Sequence, residues 1–182
     1  MKWNMIAVGL MACLGANASA QAPQPYAGLQ ERPIKALSEL QIADLKAGRG
    51  MGLALAAELN GYPGPSHLLE LAGQLGLSPD QQAATRTLFE AMKAEAIPIG
   101  ERLIGQEEAL DRLFASHTVT SAALQVATAQ IGETQARLRE AHLKYHLSTV
   151  ALLQPQQLER YATLRGYAGG ASEHHHGMQR QN

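Results

Sequence analysis

Apolar residues return every three or four positions along most of this chain, the repeat of helices that each bury one face. Leu88, Met92, Ala96, Ile99, Leu103, Leu110 and Leu113 form one stripe, with Gln106 as its polar break. A second stripe is stricter. Leu124, Ile131, Leu138, Tyr145 and Leu152 fall seven apart, and the small residues Ala127, Thr134, Ala141 and Ser148 interleave with them. Large residues alternating with small ones let a neighbouring helix approach closely. Ser78-Pro79-Asp80-Gln81 opens the first stripe with a serine N-cap and proline at the first helical position. The short turn expected at 116–120 makes the two long helices antiparallel neighbours. Pro98 predicts a kink in the first, because it removes a backbone hydrogen bond and crowds the preceding turn.

Shorter helices are predicted around this hairpin. Ser38-Glu39-Leu40-Gln41 has the capping-box pattern, with Gly48 as a stop. Residues 51–59 predict a second short helix, closed by Asn60-Gly61. Beyond the rigid Tyr62-Pro63-Gly64-Pro65 turn, a third carries His67, Leu68, Leu71, Ala72 and Leu75 and stops at Gly76. Gln154-Pro155 starts a last helix with Leu158, Tyr161 and Leu164 on one face. Residues 21–37 are proline-rich and predict a flexible leader, and 168–182 predict a disordered, histidine-containing tail. The predicted fold class is all-α, a kinked long antiparallel helical hairpin with additional short helices in a single domain over 38–167.

Composition agrees. Of 182 residues 46% are hydrophobic but only 4% aromatic, thin material for a β-sandwich core. With 15 basic and 16 acidic side chains, the chain lacks the concentrated basic face that nucleic acid requires. The N-terminus has Lys2, an apolar run over 5–14 and Ala18-Ser19-Ala20, the pattern of a secretory signal peptide cleaved after Ala20. The run is shorter than the ~20 residues that span a bilayer, so no stable membrane span is expected in the mature form. Lipoprotein processing at Cys13, within Leu10-Met11-Ala12-Cys13, is the weaker alternative. Cleavage after Ala20 removes the only cysteine and Trp3 and leaves 14 basic and 16 acidic residues. An exported chain without thiols suits an oxidising compartment.

Two pentapeptides, Leu77-Ser78-Pro79-Asp80-Gln81 and Leu153-Gln154-Pro155-Gln156-Gln157, each open a helix and bracket the hairpin. They are similar to the Leu-Thr-x-x-Gln signature that occurs twice in the Spy/CpxP family of exported helical proteins. Ser78 and Gln154 stand where the signature has threonine. The resemblance covers roughly 68–166. It implies a periplasmic protein of one of two kinds. One is an ATP-independent chaperone that binds unfolded protein clients on a helical cradle as a homodimer. The other belongs to the heavy-metal branch and binds metal through histidines on the hairpin.

The residues offer candidates for both. His142 and His146 are four apart and project from one helix face, with spacing that suits a shared ion. His67 and Glu70, three apart on the third short helix, would supply the remaining ligands for zinc, nickel or cobalt. Half-buried packing beside the seam is the alternative for both histidines. His174, His175 and His176 in the tail would take up divalent metal weakly. Leu143, Leu147 and Val150 widen the apolar surface of the second long helix, which suits clients, self-association or the short helices. Gly48-Arg49-Gly50-Met51-Gly52 lacks the preceding strand and lysine-serine ending of a phosphate loop. No nucleophile motif or paired-acid pattern is present, so an enzyme is not expected. The expectation is a role in periplasmic envelope stress or heavy-metal resistance through metal binding or sensing, with chaperone activity as the alternative.

Overall fold

Serine-led capping boxes begin two helices where the sequence places them. Ser38 Oγ accepts from the Gln41 amide while Gln41 Oε1 accepts from the Ser38 amide, starting α1 (Glu39–Lys46). Ser78 and Gln81 repeat the pattern at the start of α5 (Pro79–Ala115), with Pro79 in the first turn. Each reciprocal pair satisfies two amides that the helix leaves without partners. The computed structural model describes residues 24–168. Among these the regular elements are helical, with no strand.

Helix α5 continues through Pro98, which lies on its exposed side. The chain turns at His117, φ 55°, and Thr120 caps α6 (Ser121–Val150) through its hydroxyl. Helices α5 and α6 form the long packed pair. Lys144 and Tyr145 of α6 both donate to the Glu95 carboxylate of α5, at 2.7 and 3.1 Å.

The buried face of α6 departs from the strict heptad. Ile131, Thr134, Leu138 and Ala141 are buried as expected, but Leu124 is 36% exposed and Tyr145 is half-buried. The buried stripe shifts to His142, His146 and Thr149. A straight α-helix drifts by about 20° per heptad against a seven-residue repeat. Short helices α2 (Leu55–Glu58) and α3 (Pro65–Glu70) cover the flank to which it drifts.

Three sequence boundaries are corrected. The helix expected over 51–59 is reduced to α2, because Met51 (φ 44°) and Gly52 (φ 83°) adopt left-handed backbone before it. The third short helix divides at Leu71 (φ −100°, ψ 8°) into α3 and α4 (Ala72–Leu75). The leader expected over 21–37 is docked at its end. Leu29–Glu31 form a 3-10 turn, and Ile34 and Leu37 enter the core.

That core joins Ile34, Leu37 and Leu45 to Ala96 and Leu103 of α5 and Ile131 and Leu138 of α6. Helix α1 approaches α5 at Gly100, where an added Cβ would stand 2.7 Å from the Leu45 carbonyl oxygen. Only glycine permits so close a crossing. A second cluster, Leu68, Leu75, Leu77 and Tyr161, packs α3 and α4 against α7 (Pro155–Leu164).

The two pentapeptides meet. Gln81 Nε2 donates to Gln157 Oε1 at 2.8 Å and to the Leu152 carbonyl at 2.8 Å, and Gln157 Nε2 returns a bond to Gln81 Oε1 at 3.1 Å. Each glutamine oxygen also accepts from the backbone that starts its own helix, Ser78 or Gln154. One amide pair therefore fixes the start of α5 to the start of α7. A double-mutant cycle of Gln81→Ala and Gln157→Ala in urea unfolding should show each single change costing about 1–2 kcal/mol, with a coupling of about 1 kcal/mol. Strictly additive losses would show that the glutamines cap their helices independently.

Candidate functional site

A single acid interrupts the apolar stretch from Leu53 to Leu59, and the fold buries it. Glu58 ends α2 and is 4% exposed. A carboxylate in such a place must be matched by donors, since an unpaired buried charge is severely destabilising. The C-terminal end of the domain supplies three. The Tyr161 hydroxyl donates to Oε1 at 2.5 Å, the Tyr167 hydroxyl at 3.2 Å, and Arg165 Nε lies 3.3 Å away. On the other side the Gly64 amide donates to Oε2 at 3.3 Å, His67 Nδ1 lies 3.3 Å from Oε1, and His146 Nδ1 lies 4.0 Å from Oε2. Burial by itself would raise the Glu58 pKa. His67 and Tyr161, followed by the Gly64 amide, outweigh it and hold the carboxyl at about 2. Burial and the adjacent carboxylate push the Tyr161 hydroxyl well above the usual tyrosine range, so it remains a donor.

Beside this knot lies a cavity of about 580 Å³. His67, Glu70, His142 and His146, the four residues nominated from sequence, all line it together with Glu58. They stand there in different states. His146 is committed, with Nδ1 2.6 Å from the Tyr62 carbonyl and its ring against the Gly64 backbone, where an added Cβ would come within 2.8 Å. Glu70 accepts from the Ser66 hydroxyl at 3.3 Å and is exposed. His67 Nδ1 is buried and has no well-directed hydrogen bond despite its proximity to Glu58. His142 is 2% exposed, and its Nε2 has no partner. Burial, then the charge of His146, lowers the His142 pKa below the ordinary histidine value, so the imidazole is neutral at pH 7. A neutral imidazole with a free nitrogen is a ligand in its binding-competent form. As the side chains stand, no three His, Cys, Asp or Glu residues among those described are grouped so as to hold a metal ion.

Sequence reasoning did not identify Glu58, Tyr167 or Arg165, and it placed Tyr161 only as an apolar-face residue. The available signal was the lone acid in Leu-Ala-Leu-Ala-Ala-Glu-Leu. The signal segment and its cleavage site, Cys13, and His174, His175 and His176 lie outside the described residues.

Fold and site together define an all-α protein with a long helix pair and a histidine-lined cavity beneath its short helices. No family model, curated protein or solved structure matches the chain. Among the described residues no helix is long and apolar enough to cross a membrane.

Acid unfolding tests the Glu58 knot. A carboxyl whose pKa falls on folding adds stability that is complete above its ordinary value of 4.5 and disappears as pH drops towards about 2. The expected loss over that interval is about 2–3 kcal/mol. His142 acts in the same direction at higher pH. Its lowered pKa makes stability fall as pH drops below 6.5. Glu58→Gln should flatten the lower interval in urea titrations at stepped pH and leave the upper one intact. An unchanged acid slope in that variant would remove Glu58 from this role.

Proposed function

We propose that this is an exported, non-catalytic binding protein that holds a transition-metal ion in the cavity between the short helices and α6, serving periplasmic envelope stress or heavy-metal resistance. The supporting observation is His142, a buried residue of the cavity lining whose Nε2 has no protein partner and whose pKa is lowered by burial. His67 is turned through Nδ1 towards Glu58, so its other ring nitrogen, Nε2, would supply the second imidazole donor. Glu70, exposed and accepting only from the Ser66 hydroxyl, lines the same cavity and would supply an oxygen ligand. His146 acts instead as a positioning residue, fixed by Tyr62 and Gly64 and setting the electrostatics of His142. Zinc, nickel and cobalt accept this nitrogen-rich set. The signal-peptide pattern and the resemblance to the Spy/CpxP family supply the periplasmic setting.

A second reading rests on exposed apolar side chains. Leu55 on α2, Leu59 just beyond it and Leu147 on α6 are each more than half exposed, whereas Leu143 and Val150 are half-buried. Such residues suit an ATP-independent chaperone with unfolded clients, or a homodimer contact.

The test is calorimetric titration of zinc and nickel into the chain carrying His174→Ala, His175→Ala and His176→Ala. One equivalent should bind with a dissociation constant on the order of micromolar, and His142→Ala should weaken it by about 100-fold. If neither of these ions nor copper binds saturably, the metal reading falls. Suppression of aggregation of an unfolded protein, lost on replacing Leu55, Leu59 and Leu147 by serine, would then establish the chaperone.

A further inference from the structure

A metal ion held by His142 is left short of ligands by the protein. Zinc fills four positions and nickel at least as many, yet no three His, Cys, Asp or Glu residues among those described are grouped to hold an ion. The Glu58 carboxylate is already matched by two tyrosines, an arginine and the Gly64 amide. The remaining positions therefore fall to something the described residues do not supply. Water alone is too small to account for the space. At ~30 Å³ for each water, six of them around an ion occupy about a third of the 580 Å³ cavity. Its volume is that of a site for a small organic ligand, a class that runs from ~300 to 1,000 Å³.

The lining suits an anion with a carbon body. Leu55, Phe89 and Met92 supply apolar wall, and Arg49 and Lys93 supply cations. Arg49 is paired with Asp44, whereas half-buried Lys93 makes no ion pair among the described residues and lies over the Phe89 ring at 5.6 Å. An ammonium repels a bare divalent cation and attracts a carboxylate. One short loop also bridges Lys93 and His142. A Cβ added at Gly48 would stand 3.5 Å from the Lys93 α-carbon, and one at Gly50 would stand 3.6 Å from His142 Nδ1. Two residues of chain span at most about 7 Å, so a single small molecule can reach from the ammonium to the imidazole.

We propose that the cavity takes its metal as a complex with a small carboxylate chelator, an amino acid or hydroxy acid, with the ion on His142 Nε2 and a chelator carboxylate on the Lys93 ammonium. This rests on the metal-binding reading above and names the form in which the ion is bound. The chelator completes the coordination that the protein leaves open, and its negative charge offsets the repulsion between the ion and Lys93.

The experiment is equilibrium dialysis of nickel with radiolabelled citrate, and separately with radiolabelled free histidine, against one full-length chain. In that chain Cys13→Ser, His174→Ala, His175→Ala and His176→Ala remove competing donors outside the described residues. One chelator molecule should be retained per bound nickel, and the complex should bind about tenfold or more tightly than nickel in a non-coordinating buffer. Lys93→Gln should weaken the complex by about tenfold, the worth of a hydrogen bond to a charged group. The same change should strengthen bare nickel by about twofold, because it lifts a repulsion. His142→Ala should weaken both forms by about 100-fold. Urea midpoints measured on the same variants confirm folding. Nickel bound through His142 with neither chelator retained, or a Lys93→Gln chain that keeps its full affinity for the complex, would overturn the chelate and leave the metal reading standing. Failure of nickel to bind in either form would overturn both.

Discussion

The carboxylate of Glu58 is the constraint on which the upper half of this molecule depends. It is buried and ionised, and its partners come from four separate places, the Gly64 turn, α3, α6 and the end of α7 with the residues that follow it. None of the short helices has the length to be stable alone, since isolated helices under about 12–15 residues are marginal in water. Their positions are set by what they bury and by this shared charge. Leu68, Leu75 and Tyr161 provide the apolar part of the packing. The donors around Glu58 provide its directionality. Apolar contacts tolerate sliding, whereas a carboxylate with four or five partners does not.

That rigidity explains the state of the cavity histidines. The turn holding Gly64 brings its backbone against the His146 ring, and the Tyr62 carbonyl takes His146 Nδ1. His146 is therefore used for architecture. His142, one turn earlier on α6, receives the burial without the hydrogen bond. Two histidines with identical spacing signals in the sequence thus have opposite chemical availability. The difference lies in which short-helix backbone each one faces, Gly64 for His146 and Gly50 for His142.

The sequence disclosed the long helices and their caps well, because those depend on local information. Serine, proline and glutamine at fixed offsets determine a helix start wherever the rest of the chain lies. The joint between Gln81 and Gln157 was signalled by repetition of a pentapeptide, although the amide pairing itself is a tertiary fact. His67, Glu70, His142 and His146, named from their spacing as ligands of one ion, all line one cavity, but no three of them are grouped to hold an ion. What stayed hidden was long-range. Glu58 and Tyr161 are 103 positions apart, and nothing local marks either as a partner. Gly100 reads as a mild helix weakness until the Leu45 carbonyl is seen against it. The docked end of the leader was missed because Pro-rich composition reports on chain stiffness, and burial of Ile34 and Leu37 depends on a groove made by distant helices.

The low aromatic content connects these observations. A chain with few large rings must fill its interior with Leu, Ile and Ala, and such a core is thin wherever two helices are covered only by short segments. Here the lower core follows that pattern, from Ile34 to Leu138, without a buried charge. The upper half replaces missing apolar volume with a carboxylate, two tyrosines and two buried histidines. A polar interior of this kind specifies one arrangement more strictly than an apolar one, at the expense of groups that must all be satisfied together. The carboxylate of Glu58 meets that condition, with both oxygens accepting. His142 does not, because Nε2 is buried without a partner at the edge of a cavity. A wholly structural role would favour an apolar residue of similar volume at that position, since such a replacement removes the unsatisfied nitrogen at little loss of packing. Among the described residues, then, the His142 ring fills volume that an apolar side chain could fill, and its Nε2 is the point where the packing leaves a polar group to be met by something other than the protein.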